Sequence, residues 1–373
     1  MGGVRSRIIP FPTDPRESAE AAGLRYVRDD KPGISRIQSG SGFRYQSAAG
    51  ETISDEATLK RIHSLAVPPA WTDVWICPSP HGHIQAVGRD AKGRKQYRYH
   101  SAYRHVRDQT KYGRMLAFGA ALEKIRKRIE QDLELPDLSR KKVLAAVVQV
   151  LESTCMRIGN DEYKNQNNSF GLTTLQDKHV KVERNKIRFK FRGKSGQQQD
   201  IEIDDPRLAK IVRKCRDIPG YELFQYYDEA GSVCDVTSSD VNEYIREITG
   251  EDFTAKDFRT WGGTGFAALA LEAIGRGDTE SDAKKNIVEA IKRVSEKLGN
   301  RPATCRKYYV HPAVLDAYSD SSLFDVLKKS KGERREEACV RTVVSVYAGK
   351  VAEDAKSSQD FSAKLRKSIR RRA

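Results

Sequence analysis

The chain has 373 residues, long for a single compact core, so two domains plus tails are expected. Lys and Arg total 67 against 51 Asp and Glu, a net charge of +16, and such an excess draws polyanions by releasing their counterions. No stretch approaches the ~20 apolar residues of a membrane span, and no long basic helix shows a Trp/Phe/Leu face for an acidic bilayer, so a nucleic acid is the partner the charge favours.

Residues 1–20 are polar, proline-containing and aperiodic, which predicts a mobile tail. The opening "MGGVRSRIIPFPTDP" lacks the apolar core of a secretory signal. Met1-Gly2 with Ser6 meets the loose myristoylation pattern, a motif too short to displace the tail reading. From 21 to 105 the chain reads as short strands broken by turns, as in "FRYQSAAGETI" and "DVWICPSPHGHIQAVGRDAKGRKQYRYH". One short helix stands among them in "TLKRIHSLAVPPAW", ended by Pro68-Pro69.

After residue 105 the spacing turns helical. "RMLAFGAALEKIRKRIEQDLEL" carries apolar residues three and four apart and stops before Pro136. "KKVLAAVVQVLESTCMRIGN" is apolar over most of its length, which predicts a buried helix capped at Gly159-Asn160 with Arg157 in its last turn. A β-hairpin is predicted over 179–204, with Ile187, Phe189 and Phe191 on one face and Arg188, Lys190 and Arg192 on the other. Helices resume at "GFAALALEAI" and at "DAKKNIVEAIKRVSEKLGN", whose stripe of Ile287, Ile291, Val294 and Leu298 ends at Gly299. The last fifty residues read as helical and close on the basic "KLRKSIRRRA". The expected fold class is therefore α+β: a small antiparallel β-rich domain over 21–105, then a larger, mainly helical domain over 106–373.

Six scattered cysteines with no C-x-x-C speak against a disulfide framework or a structural zinc site and fit a reducing compartment. His81 and His83 share a strand face, but no third ligand stands near them. With no P-loop and no G-x-G-x-x-G, the chemistry is expected to need neither metal nor nucleotide cofactor.

Four stretches carry candidate groups. "GRDAKGRKQYRYH" gathers Arg89, Lys92, Arg94, Lys95 and Arg98 around a turn, with Tyr97 and Tyr99 on one strand face and Gln96 and Arg98 on the other. Cations hold phosphates, Gln and Arg read base edges, and tyrosines pack on bases or sugars. "FRGKSG" presents Lys194 on a tight turn, where a mobile cation can deliver a proton. "KDFRTWGGTG" places Lys256 and Arg259 ahead of an aromatic-glycine run that opens a helix, a ready phosphate clamp. "LGNRPATCRKYYVHP" holds Asn300 and two adjacent tyrosines, Tyr308 and Tyr309. Two arginines, a loop lysine, an amide and a tyrosine suit attack of a tyrosine oxygen on a phosphodiester, with cations stabilising the transition state. The residues alone do not choose between Tyr308 and Tyr309.

The order and spacing of these motifs from about 24 to 350 resemble the small type IB DNA topoisomerases, the poxvirus-like group found in bacteria and viruses. The resemblance implies a catalytic set of Arg157, Lys194, Arg259, Asn300 and Tyr309, the nucleophile lying nine residues after the Asn of "LGN". It implies a 3′-phosphotyrosyl link, strand rotation and resealing without ATP, and a catalytic domain shared with tyrosine recombinases. Gln96, Tyr97 and Tyr99 match major-groove contacts, and Tyr163 a further DNA-contacting tyrosine. Duplex DNA held in a clamp by a monomer, in the cytoplasm at the nucleoid, completes the expectation. Asn300 stands where poxviral enzymes use His, as in bacterial members, and Arg98 where a poxviral enzyme has an aromatic. The alternatives are a tyrosine recombinase, which typically shows His-x-x-Arg where this chain has Lys256-x-x-Arg259, and an architectural DNA-binding protein in which all five groups only touch phosphate.

Overall fold

The structure, a computed structural model, describes residues 15–350 other than Ser41, Lys92, Arg94, 160–163, 165, 166 and Glu333, with side chains except at His105 and 107–113. Arg94, Tyr163 and the terminal stretches 1–14 and 351–373 thus lie outside the described residues. The rest falls into two compact units that divide between Arg114 and Met115.

In the first unit, helix α1 (Pro15–Ala21) takes over the end of the expected tail. Proline opens it, where a missing N–H costs nothing, and Ala19 is buried with Leu24 and Tyr103. Strands β1 (Ile34–Ser39), β2 (Gly42–Gln46), β3 (Thr72–Ile76), β4 (Ile84–Arg89) and β5 (Lys95–Tyr99) pair antiparallel in the order β2-β1-β3-β4-β5. Helix α2 (Glu56–Ser64) starts where Asp55 accepts the Thr58 N–H at 2.8 Å, and packs Ile62 on Ile34, Val74, Ile76 and Ala86. The Pro68-Pro69 turn has no N–H groups to tie it down. Instead the Arg36 guanidinium gathers the carbonyls of Val67, Pro68 and Trp71.

Helix α3 (Ser101–Leu133) starts before the predicted onset, and the expected domain boundary after residue 105 falls inside it. In the second unit its Met115, Phe118, Leu122, Ile125, Ile129 and Leu133 form a buried stripe. Helix α4 (Arg140–Thr154) is enclosed on all sides, with Val143 to Val148 entirely buried. It ends earlier than the sequence predicts: Cys155 turns left-handed at φ 54°, and Arg157 lies in the extended segment beyond rather than in a last helical turn. The cause is tertiary. Leu172 N–H donates to the Arg157 carbonyl at 2.8 Å and Thr173 N–H to that of Ile158 at 2.6 Å, so the backbone of this segment pairs with residues 171–173 instead of its own helix.

The predicted hairpin gains a third strand. Strands β6 (Val180–Glu183), β7 (Lys186–Arg192) and β8 (Gln198–Asp204) form one antiparallel sheet, with Ile187, Phe189 and Phe191 buried beneath it. On the outer face Arg188 clasps Asp200 through two bonds of 2.7 Å, Lys190 lies 3.3 Å from the same carboxylate, and Lys186 meets Glu202 at 2.7 Å. The basic side of β7 is thus neutralised by β8 from Lys186 to Lys190, while Arg192 stands opposite Gln198.

Helix α5 (Pro206–Arg216), a two-stranded ribbon of β9 (Gln225–Tyr227) and β10 (Val233–Asp235), and helix α6 (Ser238–Thr249) follow. Helix α7 (Ala255–Ile274) begins earlier than predicted, so Lys256 and Arg259 lie within its first turns and the glycine run in its interior. Thr254 N–H bonded to Asp257 at 2.8 Å sets that start. Helices α8 (Glu280–Leu298), α9 (Pro302–Tyr308), α10 (Pro312–Ser319), α11 (Ser322–Lys329) and α12 (335–350) complete the unit.

Gly119 of α3 lies flat against the Trp261 indole, where a Cβ would come within 2.3 Å of the ring. Helix propensity alone favours alanine there by about 1 kcal/mol, whereas overpacking costs about 1–3 kcal/mol. Gly119→Ala is therefore expected to lower the urea midpoint; a raised midpoint would show that the indole moves aside freely.

Candidate active site

Four helix ends and one turn of the second unit meet at a cleft of about 280 Å³ lined by Arg157, Lys194, Lys256, Arg259 and Tyr309, with Ser169 and Phe170 on its wall. Among the described residues no carboxylate lines it. The cations arrive by different routes, and each route explains a local feature of the sequence.

Arg259, on the second turn of α7, is buried at 4% exposure. Its terminal nitrogens donate to the carbonyls of Cys155, at the end of α4, and Leu298, at the end of α8, the latter at 2.9 Å. Arg157 donates to the Gly299 carbonyl at 2.8 Å and to Asn300 Oδ1. Each of the three backbone carbonyls belongs to the C-terminal end of a helix, where carbonyls lack partners and the dipole is negative. The guanidiniums cap α4 and α8, and the helix ends in turn hold two like charges close together. Burial, with Arg259 adding to it, pulls the Arg157 guanidinium down to about 10, so it stays charged at neutral pH.

Gly299 makes this possible with a left-handed φ of 59°, which ends α8 and turns Asn300 inward. Asn300 is buried and reaches the cleft through Arg157 rather than lining it. Its Nδ2 and the Arg259 Nε are buried without a hydrogen-bond partner among the described residues. Two buried donors left unmet beside several cations suit an incoming oxyanion.

The paired tyrosines part company here. Tyr309, at the C-cap of α9, lines the cleft with its ring 4.9 Å below the Arg259 guanidinium. Tyr308 is 40% exposed, does not line the cleft, and carries the Lys307 ammonium 5.1 Å over its ring. Lys194 reaches the cleft from the β7–β8 turn, where Ser195 and Gly196 take φ of 63° and 76°. Lys256, exposed on the first turn of α7, stands at the rim. Sequence reasoning missed Ser169 and Phe170, which no local motif marks. Phe170 is placed by its N–H to the Arg192 carbonyl, at 2.8 Å, a contact visible only once the sheet is formed.

In the first unit the expected nucleic-acid contacts cluster on β5, the edge strand, and its turn. Tyr97 stacks on Tyr99 at 5.7 Å, and Tyr99 on Tyr103 at 5.4 Å. Arg89 donates to the Gly93 carbonyl at 2.9 Å, and Gln96 to Asp90 at 3.0 Å. Lys95 pairs with Asp29 at 2.5 Å, which raises its pKa. Arg98 points the other way, donating to the Ala66 carbonyl at 2.8 Å and lying 5.7 Å over the Trp71 ring. His83 is a packing residue: it accepts the Val27 N–H through Nδ1 and stacks on Tyr26.

Comparison with known proteins first gives the class. Residues 100–337 match the family described as eukaryotic DNA topoisomerase I, catalytic core, and residues 42–90 the bacterial DNA topoisomerase IB, N-terminal domain. DNA topoisomerase 1B of Acanthamoeba polyphaga mimivirus is 34% identical over 305 residues, covering 80% of this chain and 91% of the viral protein. DNA topoisomerase 1B of vaccinia virus (strain Western Reserve) is 24% identical over 246 residues, 65% of this chain and 75% of its own length. The XerH site-specific recombinase bound to difH substrate gives a TM-score of 0.33 at 16% identity, over 52% of this chain and 49% of that one. The chain belongs to the type IB DNA topoisomerase family.

A bound oxyanion should relieve the repulsion between Arg157 and Arg259 and so stabilise the fold. Phosphate at tens of millimolar is expected to raise the melting temperature more in the wild type than in Arg259→Ala, which isolates the site from general salt effects. Equal shifts in both proteins would show that the cleft does not hold the anion.

Proposed function

We propose that this chain relaxes supercoiled duplex DNA by transient cleavage of one strand, with Tyr309 as the nucleophile and no need for ATP or metal. The observation that carries the reading is the position of Tyr309, and not Tyr308, in a cleft lined, among the described residues, by four cations and no carboxylate. The phenolic oxygen attacks the scissile phosphorus and the bond to the 5′-oxygen breaks, leaving a 3′-phosphotyrosyl link and a 5′-hydroxyl. The phenol's proton is lost as the new bond forms. Lys194, with Arg157 beside the developing charge, supplies a proton to the departing 5′-oxygen.

Arg259 Nε and Asn300 Nδ2, the buried donors left over from helix capping, receive the non-bridging oxygens. The covalent link keeps the free energy of the broken bond, so the hydroxyl reseals it after the end has rotated. Tyr97, Tyr99, Gln96 and Lys95 on the β5 edge and Arg89 at the end of β4 bind the duplex, with Arg94, Tyr163 and Lys256 adding contacts. Arg98, committed to Trp71 and Ala66, serves chiefly to stiffen that strand. A monomer clamped on duplex DNA, working in the cytoplasm at the nucleoid, is the form we propose; the net charge of +16 supports such a polyanion partner.

Supercoiled plasmid in EDTA without ATP tests the reading directly. Wild type and Tyr308→Phe are expected to yield relaxed closed circles and Tyr309→Phe none; relaxation by Tyr309→Phe would exclude it as the nucleophile. Lys194→Ala is expected to slow cleavage by about 10²–10⁴-fold, the usual worth of a general acid. A substrate with sulfur at the bridging 5′ position, whose leaving group needs no proton, should restore most of that rate; no restoration would remove Lys194 as the acid.

A further inference from the structure

Gly263 follows Arg259 by one turn on the same face of α7, about 6 Å of rise further on, and Thr264 is the next residue of the helix. Arg259 caps the ring of Tyr309. Gly263 passes under its backbone, where a Cβ would come within 2.8 Å of the Tyr309 carbonyl oxygen and 3.3 Å of the Tyr309 Cβ. Thr264 is completely buried, and its hydroxyl accepts the His311 N–H at 3.1 Å while donating to the Thr260 carbonyl at 2.7 Å. The Tyr309 carbonyl lies 3.3 Å from the same hydroxyl.

This bond falls at a break in the backbone's own support. The N–H groups of Tyr309 and Val310 share the Cys305 carbonyl of α9 at 2.9 and 3.1 Å. The next N–H, that of His311, goes to Thr264. His311 then caps α10, accepting the Ala313 N–H at 3.0 Å, and its ring meets Tyr347 of α12 edge-on at 5.3 Å. The segment carrying Tyr309 is thus held from α9 on one side and from α7 on the other.

We propose that Thr264 is a positioning residue for Tyr309, its hydroxyl tying residues 309–311 to the helix that carries Arg259 so that nucleophile and clamp keep a fixed spacing. This rests on Tyr309 being the nucleophile, as proposed above. Valine has the shape of threonine without the hydroxyl, and it leaves the His311 N–H without that acceptor.

The test is single-turnover cleavage of a short duplex by the full chain, with duplex affinity and melting temperature measured on the same proteins. Thr264→Val is expected to cleave on the order of 10-fold or more slowly, as for a misplaced reacting group, at unchanged affinity. Thr264→Ser, which keeps the hydroxyl, should recover the rate to within about threefold, and Gly263→Ala, which pushes on the Tyr309 backbone, should be slow like valine. Wild-type cleavage by Thr264→Val, a serine variant as slow as valine, or loss of affinity in parallel with rate would each overturn the proposal. Tyr309→Phe run alongside separates the two levels: covalent adduct in that protein removes the nucleophile assignment, whereas no adduct there together with normal cleavage by Thr264→Val removes only the role of Thr264.

Discussion

Two arginines side by side in a half-dry pocket repel each other, and the structure around the cleft is organised to make them stay. Their partners are backbone carbonyls of Cys155, Leu298 and Gly299, all at helix C-termini. A carboxylate would hold a guanidinium more firmly, but it would cancel the charge and occupy the donors that an anion must use. Carbonyls at the negative ends of helices stabilise the cation while leaving its net charge in place. The early end of α4 follows from the same need, because a helix running on past Thr154 would consume the Cys155 carbonyl in its own ladder.

Helix α7 gives the site its rigidity. It carries the clamp, bears the indole that packs on Gly119 of α3, and seats the segment of Tyr309 from the side opposite α9. Its glycines, poor choices for a helix interior by propensity alone, stand where neighbouring groups come too close for a side chain. That is a local cost accepted for a tertiary fit, and it explains why the sequence suggested a helix starting after the glycines.

Much of the fold was legible where one period dominates. Ile187, Phe189 and Phe191 announce a half-buried strand by alternation, and Ile287, Ile291, Val294 and Leu298 a helix that Gly299 stops. The failures have one physical cause: contacts distant in sequence override local spacing. Met156 and Ile158 continue the apolar rhythm of α4, yet the segment pairs with residues 171–173. Alternation also put Arg188 and Lys190 on an exposed face without revealing that β8 brings acids opposite them. For the site, the residues offered two adjacent tyrosines as equals, and only the turn at the end of α9 separates them. The bond from Arg157 to Asn300 joins residues 143 positions apart, which no local pattern encodes.

The outer face of the three-stranded sheet has a consequence for how this molecule meets a polyelectrolyte. Lys186, Arg188 and Lys190 bring their own counterions in Asp200 and Glu202, so docking on them would free few condensed ions from a partner's backbone, whereas Arg192 stands opposite Gln198. The hairpin is therefore electrostatically quiet from Lys186 to Lys190 and keeps its charge at Arg192, beside the turn that carries Lys194. A plot of affinity against salt concentration counts few ions at the paired part of this sheet, however close it lies to the bound strand.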